Sequence, residues 1–191
     1  MSDRRSESTE STDRYLLLGH RVQRRGGYNA NRWSASFEEG FIPYEFQDKK
    51  TRRVFHADND PEETTIRGLR EEFLGEEFNG KILISLQAVY IDLISLNLQL
   101  MAIVSLENTS FSEVKELWSS RKPIDYGEHN VLASIKLEQT TLEKALIANC
   151  PKGLVEEISN PGLEEYLKHP WHPRSQARIA CCLWMLEEGL L

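Results

Sequence analysis

Along this 191-residue chain the apolar positions fall into blocks of two different periods. The run YLLLGHRVQRR after Arg14, closed by Gly26 and Gly27, reads as a strand ending in a turn. NRWSASFEEGF reads as a second strand, in which Trp33, Ala35 and Phe37 alternate. After Gly80 comes the most hydrophobic stretch, KILISLQAVYIDLISLNLQLMAIVSLE, where Leu96 to Leu100 alternates with period two. Gln87, Asp92, Asn97 and Gln99 interrupt it too often for a transmembrane span, so it predicts two paired strands broken near Asp92 to Ser95. VLASIKLE, Val131 to Glu138, predicts a further strand.

Helical spacing governs the rest. Asp60 is suited to cap a helix N-terminus, Pro61 to occupy its first turn and Glu63 to close a capping box, and Gly75 is placed to end the element. Ile66, Leu69 and Phe73 form one narrow apolar stripe. At about 100° per residue, Thr64, Gly68, Glu71 and Glu72 fall on the opposite side, so the two adjacent acids are expected to point away from the core. Ser110 and Glu113 form a capping box for a helix through SEVKELWSSRK, and TTLEKALIAN predicts a short helix. Pro173 opens a C-terminal helix with Ile179, Cys182, Leu183 and Leu186 on its apolar face, which makes Cys182 a core thiol.

This order of strands and helices argues for an α/β fold, a mixed sheet with helices on both faces. Residues 1–13, with no apolar residue after Met1, read as a flexible tail. Residues 14–150 read as the main domain and 151–191 as a C-terminal helical extension packed on that domain or on a second subunit, an arrangement that would make a homodimer. His169 and His172 flank Trp171 without a third ligand at useful spacing and read as packing and cap residues.

Composition narrows the chemistry. A net charge of −7 disfavours a general binder of nucleic acid or of anionic membranes, but leaves room for a nucleotide whose charge a cation neutralises. The absence of a long apolar run or a signal sequence points to a cytoplasmic protein off the membrane. Three cysteines, two of them adjacent, fit a reducing compartment.

PEETTIRGLREEFLG resembles the signature helix of the Nudix hydrolase superfamily, G-x5-E-x7-R-E-U-x-E-E-x-G-U, with U a bulky aliphatic residue. In that alignment Arg67 is the box arginine, Leu69 the aliphatic position, and Glu71 and Glu72 the acidic pair. The chain departs from the box at Gly68, Asn59 and Arg53, where glutamate, glutamate and glycine belong, and at Leu74, with Gly75 one residue late. The resemblance implies an α/β/α sandwich around a mixed sheet and a pyrophosphohydrolase acting on a nucleoside diphosphate linked to another group. It implies that Mg²⁺ or Mn²⁺ is held by Glu71 and Glu72, and that Arg67 orients a glutamate. The carboxylate missing at Gly68 leaves Glu38 or Glu39, in the loop that would lead into the box with Gly40, as replacement ligands. Lys49, Lys50, Arg52 and Arg53 on the following long loop are suited to meet phosphate. Glu128, in KPIDYGEHN with Asp125 and His129, is the candidate for the acid or base that such proteins place on a late loop. The departures leave a second reading open, a Nudix-fold nucleotide-binding or regulatory domain without catalysis.

Overall fold

The computed structural model describes residues 14–21, 30–35, 37, 41–42, 44–50, 52, 54–76, 78–92, 97–121 and 129–191. The expected tail over 1–13, the Gly26–Gly27 turn, Gly40, and the site candidates Glu38, Glu39, Arg53, Asp125 and Glu128 lie outside them.

A four-stranded antiparallel sheet forms the centre, in the order β2 (Arg32–Ser34), β1 (Tyr15–Arg21), β7 (His129–Lys136), β8 (Val155–Ile158). Its two central strands are apolar on both faces, as strands covered on both sides must be. Leu18, Val131, Ala133 and Ile135 face one core, shared with Leu142 and Ala145 of α3 (Gln139–Ile147) and Ile179 and Cys182 of α4 (Ser175–Glu187). Leu17 and Leu132 face the other, shared with Leu69 of α1 (Pro61–Leu69) and with Val114 and Trp118 of α2 (Phe111–Arg121). Helices therefore cover both faces of a mixed α and β structure, as the element order suggests.

Three expectations need correction. All pairings between named strands among the described residues are antiparallel, and the single parallel pairing is an isolated bridge, Trp33 to Trp171, so the sheet is not the expected mixed one. The long loop before α1 carries a small hairpin, β3 (Phe46–Gln47) with β4 (Val54–Phe55), whose two-residue strands are too short for a period to register. The segment from Pro151 is not wholly helical: β8 completes the sheet edge, and a 3₁₀ helix spans Pro161–Lys168.

The segment after Gly80 folds as predicted into a long hairpin, β5 (Lys81–Asp92) paired with β6 (Asn97–Glu107). Ser110 and Glu113 cap α2 reciprocally, the Glu113 backbone N–H donating to Ser110 Oγ at 3.2 Å and the Ser110 N–H to the Glu113 carboxylate at 2.6 Å. Cys182 is buried, and burial pushes its thiol up to about 11, which keeps it protonated and inert.

A bulge decides what β7 presents to α1. His20 pairs with Val131 and Arg21 with His129, so Asn130 is the extra residue, and His129 turns to the α1 face instead of continuing the alternation. The bulge is pinned by His20, whose Nδ1 lies 2.7 Å from Asn130 Oδ1 and whose Nε2 lies 2.8 Å from His169 Nδ1. Because Oδ1 can only accept, His20 Nδ1 donates to it, and a neutral His20 then accepts from His169 at Nε2. Gly19 makes room for His129: a Cβ there would lie 2.4 Å from His129 Cδ2. Gly19→Ala is expected to destabilise the fold by about 1–3 kcal/mol through this overpacking, read as a lower denaturation midpoint in urea.

Candidate functional site

The helix at Pro61 begins as its sequence predicts. The Asp60 side chain accepts from the Glu63 backbone N–H at 2.9 Å. The Glu63 carboxylate reaches back to the Asn59 backbone N–H at 2.8 Å, one residue before the cap, and also takes the Asn59 amide. Asn59, at the position where the box has a glutamate, therefore serves the helix start. Lys49, Lys50 and Arg52 lie exposed around the β3–β4 hairpin.

The helix then changes pitch. Over Arg70–Leu74 it is a π-helix, closed by the Gly75 N–H donating to Arg70 O at 2.8 Å, and Gly75 ends it at φ 76°. The wider turn carries Glu71 and Glu72 inward together with Phe73 and Leu74: Glu71 is 3% exposed and Glu72 2%. The expectation that both acids point away from the core is overturned. A periodicity of 100° per residue assumes an unbroken α-helix and sends carboxylates to water, whereas here the pitch changes and polar partners wait inside.

Those partners are specific. Arg67 grips Asp58 with two hydrogen bonds, Nε to Oδ1 at 3.0 Å and Nη2 to Oδ2 at 2.9 Å, and its Nη1 lies 3.7 Å from Glu71 Oε2. Asp58 Oδ2 also accepts from the Ile42 backbone N–H at 2.7 Å, and the Asp58 N–H donates to Ile42 O at 2.8 Å, so the pair ties the chain before α1 to its second turn. Burial acts to raise the Asp58 pKa, but the hydrogen bond from Arg67, the Ile42 N–H, the Arg67 charge and a hydrogen bond from Thr64 together outweigh it and hold the carboxyl below its ordinary value.

On the other side, His129 Nδ1 lies 3.3 Å from Glu72 Oε2, and its ring stacks on Phe73 with centroids 5.0 Å apart. Burial, with the charge of Arg21 and the neighbouring His20 adding to it, pushes the His129 pKa down to about 3. The imidazole is therefore neutral, and it meets the Glu72 carboxylate as a dipole.

Arg67, Glu71 and Glu72 are thus brought together, with Asp58 and His129 as partners that the sequence reading did not assign. His129 was expected in a loop, and only the Asn130 bulge, which no local pattern announces, turns it towards Glu72. Among the described residues the two carboxylates are closed off from solvent, Glu71 beside a guanidinium and Glu72 beside an imidazole, a donor set that does not fit a divalent cation. Among the described residues no group of three or more His, Cys, Asp and Glu is placed to hold a metal ion. Neither of two surface clefts among the described residues is lined by Glu71 or Glu72. One, of about 520 Å³, lies between the hairpin base and α2, lined by Lys81, Glu107 and Glu113; the other, of about 310 Å³, is lined by Arg32, Trp171 and His172.

Two outcomes follow from this geometry. Asp58→Asn, which leaves Arg67 with a neutral partner, is expected to lower stability by about 2–3 kcal/mol in urea denaturation at pH 7. The pH dependence has a defined sign: with a folded-state pKa depressed to about 3, His129 resists a proton that the unfolded chain accepts below about pH 6.5. Its stabilising effect is complete above pH 6.5 and declines as pH falls, by up to about 1.4 kcal/mol per unit. His20, also lowered by burial, adds in the same direction. His129→Gln is expected to flatten the loss between pH 6.5 and 5, measured as the denaturation midpoint at each pH. No family model, curated protein or solved structure matches this chain.

Proposed function

We infer that this chain is a Nudix-like binding or regulatory domain in which the box helix has been turned from a catalytic platform into an internal brace. The observation that carries this reading is the burial of Glu71 and Glu72 against Arg67 and His129. A metal-dependent hydrolase must let phosphate oxygens and a cation reach its carboxylates together. Here the acids are withdrawn, Gly68 supplies no third carboxylate on the helix, and Glu71 lies near a guanidinium that also grips Asp58. Such a domain acts by what it holds, a nucleotide or a partner protein.

The hydrolase reading keeps one specific support: Arg67 stands beside Glu71, as a box arginine that orients a glutamate would, at the end of a well-capped helix. In that case Glu38 or Glu39 would join Glu71 and Glu72 at Mg²⁺ or Mn²⁺, with Glu128 as acid or base. One experiment separates the two. The full chain is incubated with Mg²⁺ or Mn²⁺ and a panel of ADP-ribose, dinucleotides and nucleoside diphosphate sugars, and calorimetry is run on the same ligands. The binding domain is expected to release nucleoside monophosphate no faster than Glu72→Gln does. Metal-dependent turnover that Glu72→Gln abolishes would establish the hydrolase instead.

A further inference from the structure

The β5–β6 hairpin has one face that is apolar along its whole length. Directly paired residues share a face in an antiparallel ladder, and the pairs Ile82 with Leu106, Ile84 with Val104, Leu86 with Ala102, Val89 with Leu100 and Ile91 with Leu98 fall on the same one. The shift in register between Leu86 and Ala88 makes this possible: the extra residue, Gln87, keeps Val89 and Ile91 in phase with Leu86, where strict alternation would have put them on the opposite face. No Lys, Arg, Asp, Glu or Pro occurs from Ile82 to Ile91 or from Leu98 to Leu106.

Among the described residues, only the base of this face has a core to rest on. Ile82, Val104 and Leu106 pack against the cluster built on α1 and α2. Beyond it Leu86 is 56% exposed, Val89 64%, Ile91 58%, Leu98 69% and Leu100 50%. A lone two-stranded hairpin is marginal in water, and an apolar sheet face normally lies on a second layer. We propose that this distal face is covered by the same face of a second copy of the chain, two hairpins stacked across a twofold axis as a small sandwich.

Three features select that occupant. The face carries no charge, so its complement must be equally uncharged and apolar, and the identical face of another copy meets that demand. A twofold contact uses one patch on both partners and closes at two, which suits a single patch of this kind. The areas also agree. Five side chains of about 100 Å² each, a little over half exposed, present on the order of 300 Å² per copy, the size at which an exposed patch on a monomer is commonly functional. Doubling this to roughly 600 Å² of apolar surface, with the strand edges as rim, places the contact among interfaces below about 1,200 Å², so the dimer should be weak and concentration-dependent.

Sedimentation of the full chain from about 1 to about 200 µM is the test, a range that spans the affinity of so small an interface. The expected result is a monomer passing to a dimer within that range, with Val89→Glu/Leu98→Glu raising the dissociation constant at least tenfold and Ser105→Glu, on the opposite face, leaving it unchanged. If circular dichroism shows that the double glutamate variant fails to fold, Val89→Ser/Leu98→Ser supplies the same comparison. A monomer throughout, a dimer indifferent to the face substitutions, or an open-ended series of larger species would each overturn the proposal. So would a chain that stays monomeric and floats with phosphatidylcholine vesicles, since a lipid surface would then be the cover.

Discussion

The interior of this protein depends on carboxylates that have been taken out of water and given fixed partners. Asp58, Glu71 and Glu72 are all nearly sealed, and none of them tolerates that placement alone, because a buried charge without a partner costs several kcal/mol. Arg67 answers the first two, with a bidentate grip on Asp58 and an approach to Glu71, and His129 answers the third as a neutral dipole. Weakening a partner of a buried charge costs more than breaking a surface ion pair, which is why the effect expected at Asp58 is large.

This constraint connects parts of the chain that are far apart in sequence. The π-helical turn brings the acids inward, the Asn130 bulge turns His129 to meet them, His20 holds Asn130, and Gly19 leaves space for the imidazole. Each is a small departure from regular structure, and each makes sense only with the others present. Irregular turns of this kind often accompany functional sites, and the same geometry can equally lock a helix onto a sheet. The burial of both acids weighs towards the second role.

The hairpin shows the complementary situation. There the irregularity at Gln87 aligns an apolar face instead of a polar cluster, and the outcome is a surface that water covers poorly. One bulge closes an internal site and the other prepares an external one. The reading of this chain as a domain that binds rather than hydrolyses rests on the first, and its proposed self-association on the second.

Much of the architecture was legible in the sequence because it follows from local rules. The Asp60 and Ser110 caps, the Gly75 stop, the break in the long hairpin after Asp92, the strand in the run that begins at Val131 and the core position of Cys182 all depend on residues a few places apart. Tertiary structure alone decided that the sheet is antiparallel, that β8 completes its edge, and that Glu71 and Glu72 turn inward. Strand direction depends on which segments meet, and β8 is a four-residue strand whose burial does not alternate. The side to which an acidic pair points depends on a change of helical pitch and on a histidine 57 residues away from Glu72, and no periodicity within the helix carries that information.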